Sequence, residues 1–344
     1  MSREGQKRGN GHGAGVVAAY HGLRFGWLRA ALLLVCAGAT ASEFALPRDG
    51  WVSWTVDAVE GAPEWCCRSL DDPAGAAVAC DLDSRRGNYT SDGERGTETV
   101  KIYALMQGGQ ATRVRAYAPS CPVRAGTPVA DLGALDTDAS ARWLAGQMPA
   151  GNERFSETLG ALALHAGRVA EDALAGIASD PAAGERRKDA LFWLGHARGE
   201  AGVRRIEPLL TGDPDPSVRE HAAFAISQSG VDRRGDLLLQ QASSDPAESV
   251  RSQAWFWLAQ AGDARAEAKV RAALRQERSR SVRHQAIFAL SQLPDGRGVP
   301  ALIAVVEDRE LPMDERKQAL FWLGNSDSGE AIAYLDRVLA ARTR

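Results

Sequence analysis

Cysteine is absent from the last 223 residues of this 344-residue chain. That excludes a disulfide framework or a thiolate metal centre from most of its length. Gly-x-Ser-x-Gly elbows, phosphate loops and dinucleotide fingerprints are also missing, and with them the commonest signatures of serine hydrolases and nucleotide enzymes. No apolar run is long enough to span a bilayer; the best candidate, LRAALLLVCAGATA near the N-terminus, is too short. Basic clusters are lacking as well. Formal net charge is −3, and because residues 1–41 carry five Lys/Arg against one Glu, the remainder stands at −7. A mildly acidic body argues against nucleic acid as a partner, since phosphate binding needs grouped Lys and Arg.

What is present begins with an export signal. Arg3, Lys7, Arg8, Arg24 and Arg29 precede the short apolar run, which ends in Ala39-Thr40-Ala41, a small-x-small cleavage pattern. Residues 1–41 therefore read as a signal peptide cleaved near Ala41, leaving no stable membrane span. Richness in Ala, Arg and Gly suggests a high-GC bacterium, so the expected location is secreted or periplasmic. A lipoprotein reading of Cys36 fails on Val35, which is larger than the small residue that site needs.

Four cysteines then remain: Cys66, Cys67, Cys80 and Cys121. An even count grouped in one exported segment predicts two disulfides tying a small domain. A bridge between neighbours Cys66 and Cys67 would be strained, leaving 66–80 with 67–121, or 66–121 with 67–80. Zinc and redox readings lack a CxxC pair. The segment 42–130 has strand periodicity: GWVSWTVDAV places Val52, Trp54 and Val56 on one face, and VKIYALM and ATRVRAYA flank Gln107-Gly108-Gly109-Gln110, a hairpin signal. The stretch DPAGAAVACDLDSRRGNYTSDGERG reads as loop. Asp81 and Asp83 suggest calcium, but Arg85 stands where a third oxygen ligand is needed. Asn88-Tyr89-Thr90 is a sequon. Residues 131–152 read as a transition with a helix near 139–147.

From 153 to 344 the period becomes helical and the sequence repeats. Arg187, Arg219, Arg251, Arg283 and Arg316 recur at spacings of 32, 32, 32 and 33. An alanine follows each by three residues, then Phe192, Phe224, Phe256, Phe288 and Phe321 by five. With a degenerate copy at about 153–180, this makes about six stacked units. Ser217, Ser249, Ser281 and Asp314 suit the N-cap of the first helix, and Ser217 with Glu220 fits a capping box. A polar turn and a second helix complete each unit.

The pattern D-P-x-x-x-V-R-x-x-A-x-x-A-L, as in DPDPSVREHAAFAI, resembles the HEAT-repeat superfamily in its short bacterial form. The resemblance implies an α-solenoid preceded here by the small disulfide-tied β domain. It also implies a ladder between repeats of the arginines with the acids six residues before them, Asp213, Asp245, Glu277 and Glu310. An exposed link of that kind contributes under about 1 kcal/mol. The His-Glu dyads of HEAT-type di-iron hydroxylases are absent; Glu220-His221 is the reverse order and occurs once.

The remaining signal is aromatic. The position after the phenylalanine alternates Trp193, Ala225, Trp257, Ala289, Trp322. On a helical wheel Trp322 falls in the core, whereas the phenylalanines form a second stripe. That stripe either wedges between units or is an exposed docking ridge. His165 and His196 lie near helix ends and suit capping, and His221 and His284 take variable polar positions. No catalytic, metal or cofactor-binding set emerges. The sequence predicts an exported, non-enzymatic scaffold that binds a protein or peptide along its second-helix face, where Arg204, Arg205, Glu207, Gln240, Arg271, Arg275 and Asp336 are candidate contacts. Two alternatives stand beside it. One is an enzyme or cofactor-binding protein of the HEAT-like lyase type, with its site at the junction near Trp51, Trp54 and Trp65. The other is a cell-envelope structural or regulatory module.

Overall fold

The computed structural model describes residues 45–68, 77–84, 90–148, 155–262, 266–293 and 296–342. Residues 1–41, expected to be a signal peptide, and the sequon residues Asn88 and Tyr89 lie outside them. Residues 44–344 form one compact unit.

Among the described residues the first strand is β1 (Gly50–Asp57), at the heart of a four-stranded sheet ordered β7-β6-β1-β9. Strands β6 (Thr99–Gln107) and β7 (Gln110–Tyr117) form the expected hairpin, turned by Gly108 and Gly109 at φ +61° and +86°. Both central residues of the turn thus have positive φ, which glycine alone adopts without steric cost. Strand β9 (Val129–Ala134) pairs parallel with β1, so the sheet runs past the boundary expected at 130 and into the supposed transition.

Val52, Trp54 and Val56 point to one face of β1 and are buried, as their alternation predicts. Trp51 and Ser53 are buried too, because the opposite face is also covered. A second layer lies over it, built from β2 (Pro63–Arg68), β3 (Ala77–Val78), β4 (Cys80–Asp81), β5 (Thr90–Gly96) and β8 (Val123–Arg124). Disulfides Cys66–Cys121 and Cys67–Cys80 hold this layer, and Trp51, Leu82, Tyr103 and Tyr117 fill the space beneath. By composition TSDGERG reads as loop, but it is strand β5. Its side-chain pattern carries no strand signal; it is placed by backbone pairing to β2.

Helix α1 (Thr137–Gly146) follows β9, and six helical hairpins follow α1. The first helices are α2 (Phe155–Ala163), α4 (Arg186–Ala197), α6 (Pro216–Ser227), α8 (Glu248–Gln260), α10 (Arg280–Ser291) and α12 (Met313–Gly324). The second helices are α3 (Arg168–Ser179), α5 (Gly199–Gly212), α7 (Arg234–Ser244), α9 (Ala266–Gln276), α11 (Val299–Glu307) and α13 (Gly329–Arg342). First helices begin two residues earlier than their serines suggested. Asp215, not Ser217, caps α6 by accepting from the Ser217 amide at 2.8 Å, with Pro216 at the first helical position. Ser279 caps α10, its hydroxyl accepting from the Val282 amide at 3.5 Å.

Consecutive first helices pack along much of their length, whereas consecutive second helices touch little. The approach of α4 to α6 is close enough that a Cβ on Gly195 would fall 2.1 Å from the Ala225 carbonyl oxygen. In a two-layer stack the layer with the shorter spacing lies on the inside of the bend. The first helices therefore form the inner wall, and the second helices the outer.

Candidate functional site

Three features could carry function: the arginine rungs, the junction between sheet and array, and the aromatic inner wall.

The rungs come first because they set register. Arg219 donates to both carboxylate oxygens of Asp245 at 2.8 and 2.9 Å and to the Asp213 carbonyl at 2.7 Å. Arg251 repeats this with Glu277 and the Asp245 carbonyl, and Arg187 pairs with Asp213. Each acid therefore takes the arginine of the preceding unit on its carboxylate and that of its own unit on its carbonyl. Its carboxylate also accepts an amide two residues on, as Asp245 does from Ala247 at 2.8 Å. The first two links are buried rather than exposed. Glu310 is a correction: it is exposed on the outer side beside Arg275, and Arg283 pairs instead with buried Glu315. Glu315 fills the place held by Val218, Val250 and Val282, and the last turn, 308–312, is two residues longer than 213–215, 245–247 and 277–279, which leaves Glu310 out of register. Arg316 donates to the Val306 carbonyl.

The outer layer is tied separately. Arg205 pairs with Glu171 and Asp172, Arg233 with Glu200 and Glu207, and Arg275 with Asp308. Several side chains expected to await a partner on the second helices are thus engaged with neighbouring units.

At the junction, the inner sheet face, α1 and α2 share one core with the array. His165 is fully buried there. Its Nδ1 lies 2.8 Å from the Ala161 carbonyl and its Nε2 2.8 Å from Ser140 Oγ, which also accepts from Trp54 Nε1 at 2.8 Å. A carbonyl can only accept, so the proton sits on Nδ1 and Nε2 accepts from the serine hydroxyl. Desolvation lowers the imidazole pKa to about 4, keeping it neutral. A cavity of about 300 Å³ between the two parts is lined by Trp65, Ala116, Glu157, Gly160 and Trp193, among others. Its one carboxylate, Glu157, is paired with Arg115, itself buried. Of the tryptophans expected at a junction site only Trp65 lines this cavity; Trp54 is core, and Trp51 donates to Asp83 on the far face. Hydrogen bonds from Gly126 N–H and the Trp51 indole hold the Asp83 carboxyl below the usual carboxylate range.

Among the described residues one cluster has metal-ligand composition: His284, Asp314 and Glu315. Arg280 and Arg283 donate to its two carboxylates at 2.6 Å each. These guanidiniums supply the positive charge that an ion would bring.

The inner wall carries the aromatics. Phe192 stacks on Phe224 with centroids 6.1 Å apart and planes at 14°; Phe224 meets Trp257 at 4.8 Å and 46°. The pair Phe256–Phe288 repeats the first geometry at 6.1 Å and 4°, and Phe288–Trp322 the second at 4.9 Å and 47°. Neighbours Phe256–Trp257 and Phe321–Trp322 close the gaps. The large–small alternation therefore shapes one continuous file of rings, in which Trp193, Trp257 and Trp322 are half-buried and not core. The fully buried tryptophan is Trp255. The phenylalanines touch the next unit yet stay partly open, and Phe321, in the last described unit, is 56% exposed. His196 stacks on Phe192 and His221 meets Phe224 edge-on.

Neutral polar groups flank the rings of the last four units. Three residues before and four after each phenylalanine lie beside it on the helix. In those units the positions are His221 and Gln228, Gln253 and Gln260, Gln285 and Gln292, and Gln318 and Asn325, whereas beside Phe192 they are Asp189 and His196. The rings are legible in the sequence, whereas the amides beside them show only once the inward face is known.

The family description of HEAT repeats matches residues 170–254 and 235–313. The helical array belongs to the HEAT-repeat superfamily. Among solved structures, human deoxyhypusine hydroxylase in complex with glycerol is similar over 58% of this chain and 90% of its own, at 18% identity and a TM-score of 0.30. No curated protein matches the chain. The HEAT array here is a helical repeat scaffold of the kind suited to protein interaction, and no helix among the described residues is long and apolar enough to cross a membrane.

Proposed function

We propose that the protein is an exported scaffold that binds a protein or peptide partner along the inner wall of its HEAT array. One observation carries this reading: a file of half-open rings runs the length of the wall, flanked in four consecutive units by neutral hydrogen-bonding groups. Exposed aromatic surface of that extent is characteristic of interaction sites. Side-chain amides both donate and accept, so they satisfy the main chain of a bound segment without adding charge. Two disulfides in the sheet layer fit an oxidising compartment, which supports export.

The test is site-specific photo-crosslinking from position 253 in the intact organism, followed by mass spectrometry. One protein recovered reproducibly, and lost when Gln260→Ala and Gln292→Ala are combined, is the expected result. Recovery unaffected by those substitutions would refute the inner wall as the binding surface. Cell fractionation with N-terminal sequencing of the mature chain checks cleavage near Ala41.

A further inference from the structure

Helix α12 carries the surface of an interior helix. Its stretch KQALFWLG (317–324) differs from KDALFWLG (188–195) of α4 only in Gln318 for Asp189. In α4 that surface is covered by α6: Leu191 and Gly195 are buried, and Phe192 stacks on Phe224. In α12 Leu320 is only half-buried, and Lys317, Phe321 and Gly324 are exposed. Met313, Lys317, Phe321 and Gly324 share one stripe of the helix, and α13 exposes Ile332 and Leu339. Four of the six large hydrophobic side chains exposed among the described residues thus lie in this one hairpin.

Three features of the stripe are those with which α4 holds α6. The first is the glycine. A Cβ on Gly195 would strike the Ala225 carbonyl oxygen, whereas one on Gly324 would meet nothing within 4 Å. Nor does Gly324 have positive φ. Neither crowding nor backbone conformation among the described residues calls for glycine there, although glycine weakens a helix relative to alanine.

The second is the ring. Where a phenylalanine is followed by tryptophan, it stacks on the phenylalanine of the next unit, as Phe192 does on Phe224 and Phe256 on Phe288. Phe321 is followed by Trp322 and has no such partner among the described residues.

The third is the rung. Arg187 Nε donates to the Ala178 carbonyl at 2.8 Å, and its terminal nitrogens reach Asp213. Arg316 repeats the first bond, to the Val306 carbonyl at 2.8 Å, and its terminal nitrogens meet no carboxylate among the described residues. The α4–α6 interface therefore says what fits the α12 face. Its acid, Asp213, stands eleven residues before Phe224 and twelve before Ala225.

We propose that the exposed face of α12 docks an α-helix of a partner protein that carries an acid at its start and, eleven and twelve residues later, a phenylalanine and a small residue. The acid meets Arg316, the ring stacks on Phe321, and the small residue lies against Gly324. This does not rest on the inner wall being a binding surface.

The probe is a fluorescently labelled peptide with the sequence of residues 213–229, held helical by a side-chain lactam and titrated into the full chain by anisotropy. Saturable binding is expected, abolished by Gly324→Leu, weakened by Phe321→Ser and weakened by raised salt. Both positions are exposed, so thermal unfolding of these variants should match the parent. A peptide of the same composition with its Phe224 and Ala225 exchanged is the control. No binding of the probe, equal binding of the control, or indifference to Gly324→Leu overturns the proposal. Sedimentation of the chain alone tests the other occupant: a dimer that Gly324→Leu dissolves would assign the face to a second copy of this chain and overturn the partner helix.

Discussion

Trp65 of strand β2 packs against Trp193 of helix α4, their ring centroids 5.5 Å apart. In the first repeat the phenylalanine position is Gly160, thirty-two residues before Phe192. No ring from the array itself can cover Trp193 there, and the β layer supplies one. A solenoid needs its end stack covered, and this is how the sheet layer closes the aromatic file.

Trp65→Ala should therefore destabilise the whole chain, by roughly 2–3 kcal/mol for a half-buried tryptophan. Gly160→Ala tests the same contact from the other side, since its Cβ would meet Trp193 Cζ2 at 2.9 Å and push the indole outward. Overpacking of this kind costs about 1–3 kcal/mol. Urea midpoints followed by circular dichroism measure both; an unchanged midpoint for Trp65→Ala would show that the junction does not hold the array.

The rungs give a contrast between buried and exposed ion pairs. Asp245→Ala leaves the Arg219 guanidinium buried without its carboxylate and removes the acceptor for the Ala247 amide, with an expected cost of about 3–5 kcal/mol. Arg275→Ala breaks an outer pair at an exposed side chain and should cost far less. Denaturant titration of the two variants side by side checks the ranking. Equal effects would mean that the buried rung contributes no more than a surface pair.

Burial of His165 couples stability to acid. Its pKa falls from 6.5 to about 4 on folding, so between those values the unfolded chain binds more protons. Stability must therefore rise with pH through this window. The contribution is complete above about 6.5 and fades as pH drops toward 4, by roughly 3 kcal/mol in all. Urea unfolding at intervals between pH 4 and 7 should show this slope. In His165→Asn the slope should shrink by about one proton, even though the variant is less stable at every pH.

How much of this was readable beforehand follows from the periods involved. Arg187 to Arg316 and Phe192 to Phe321 recur at a nearly fixed spacing, so unit number and helix phase could be read directly. Val52, Trp54 and Val56 gave the inner face of β1 by alternation. Strand β5 was hidden because TSDGERG owes its strand to pairing with β2 rather than to its own residues. Glu315 was hidden because it stands in a valine's place, and pattern reading seeks the acid in the turn. The inward face of the array depends on which helical layer packs more closely, a property of stacked units that no single repeat encodes.

The two disulfides should differ in what they hold. Cys66–Cys121 spans 55 residues of sequence and encloses β3 to β7, whereas Cys67–Cys80 spans 13. Loop-closure entropy grows with the logarithm of length, so the expected contributions are about 4 and about 3 kcal/mol. Cys66–Cys121 also fastens the strand that presents Trp65 to the array, because Cys66 is the next residue along β2. Replacing Cys66 and Cys121 by serine should therefore loosen the Trp65–Trp193 contact as well as the β layer. Hydrogen exchange would register this as lost protection in α2 and α4. The Cys67→Ser, Cys80→Ser pair should leave those helices protected and affect β3 and β4 alone. Equal exchange in α2 and α4 for the two variants would show that the array does not depend on the staple beneath its first ring.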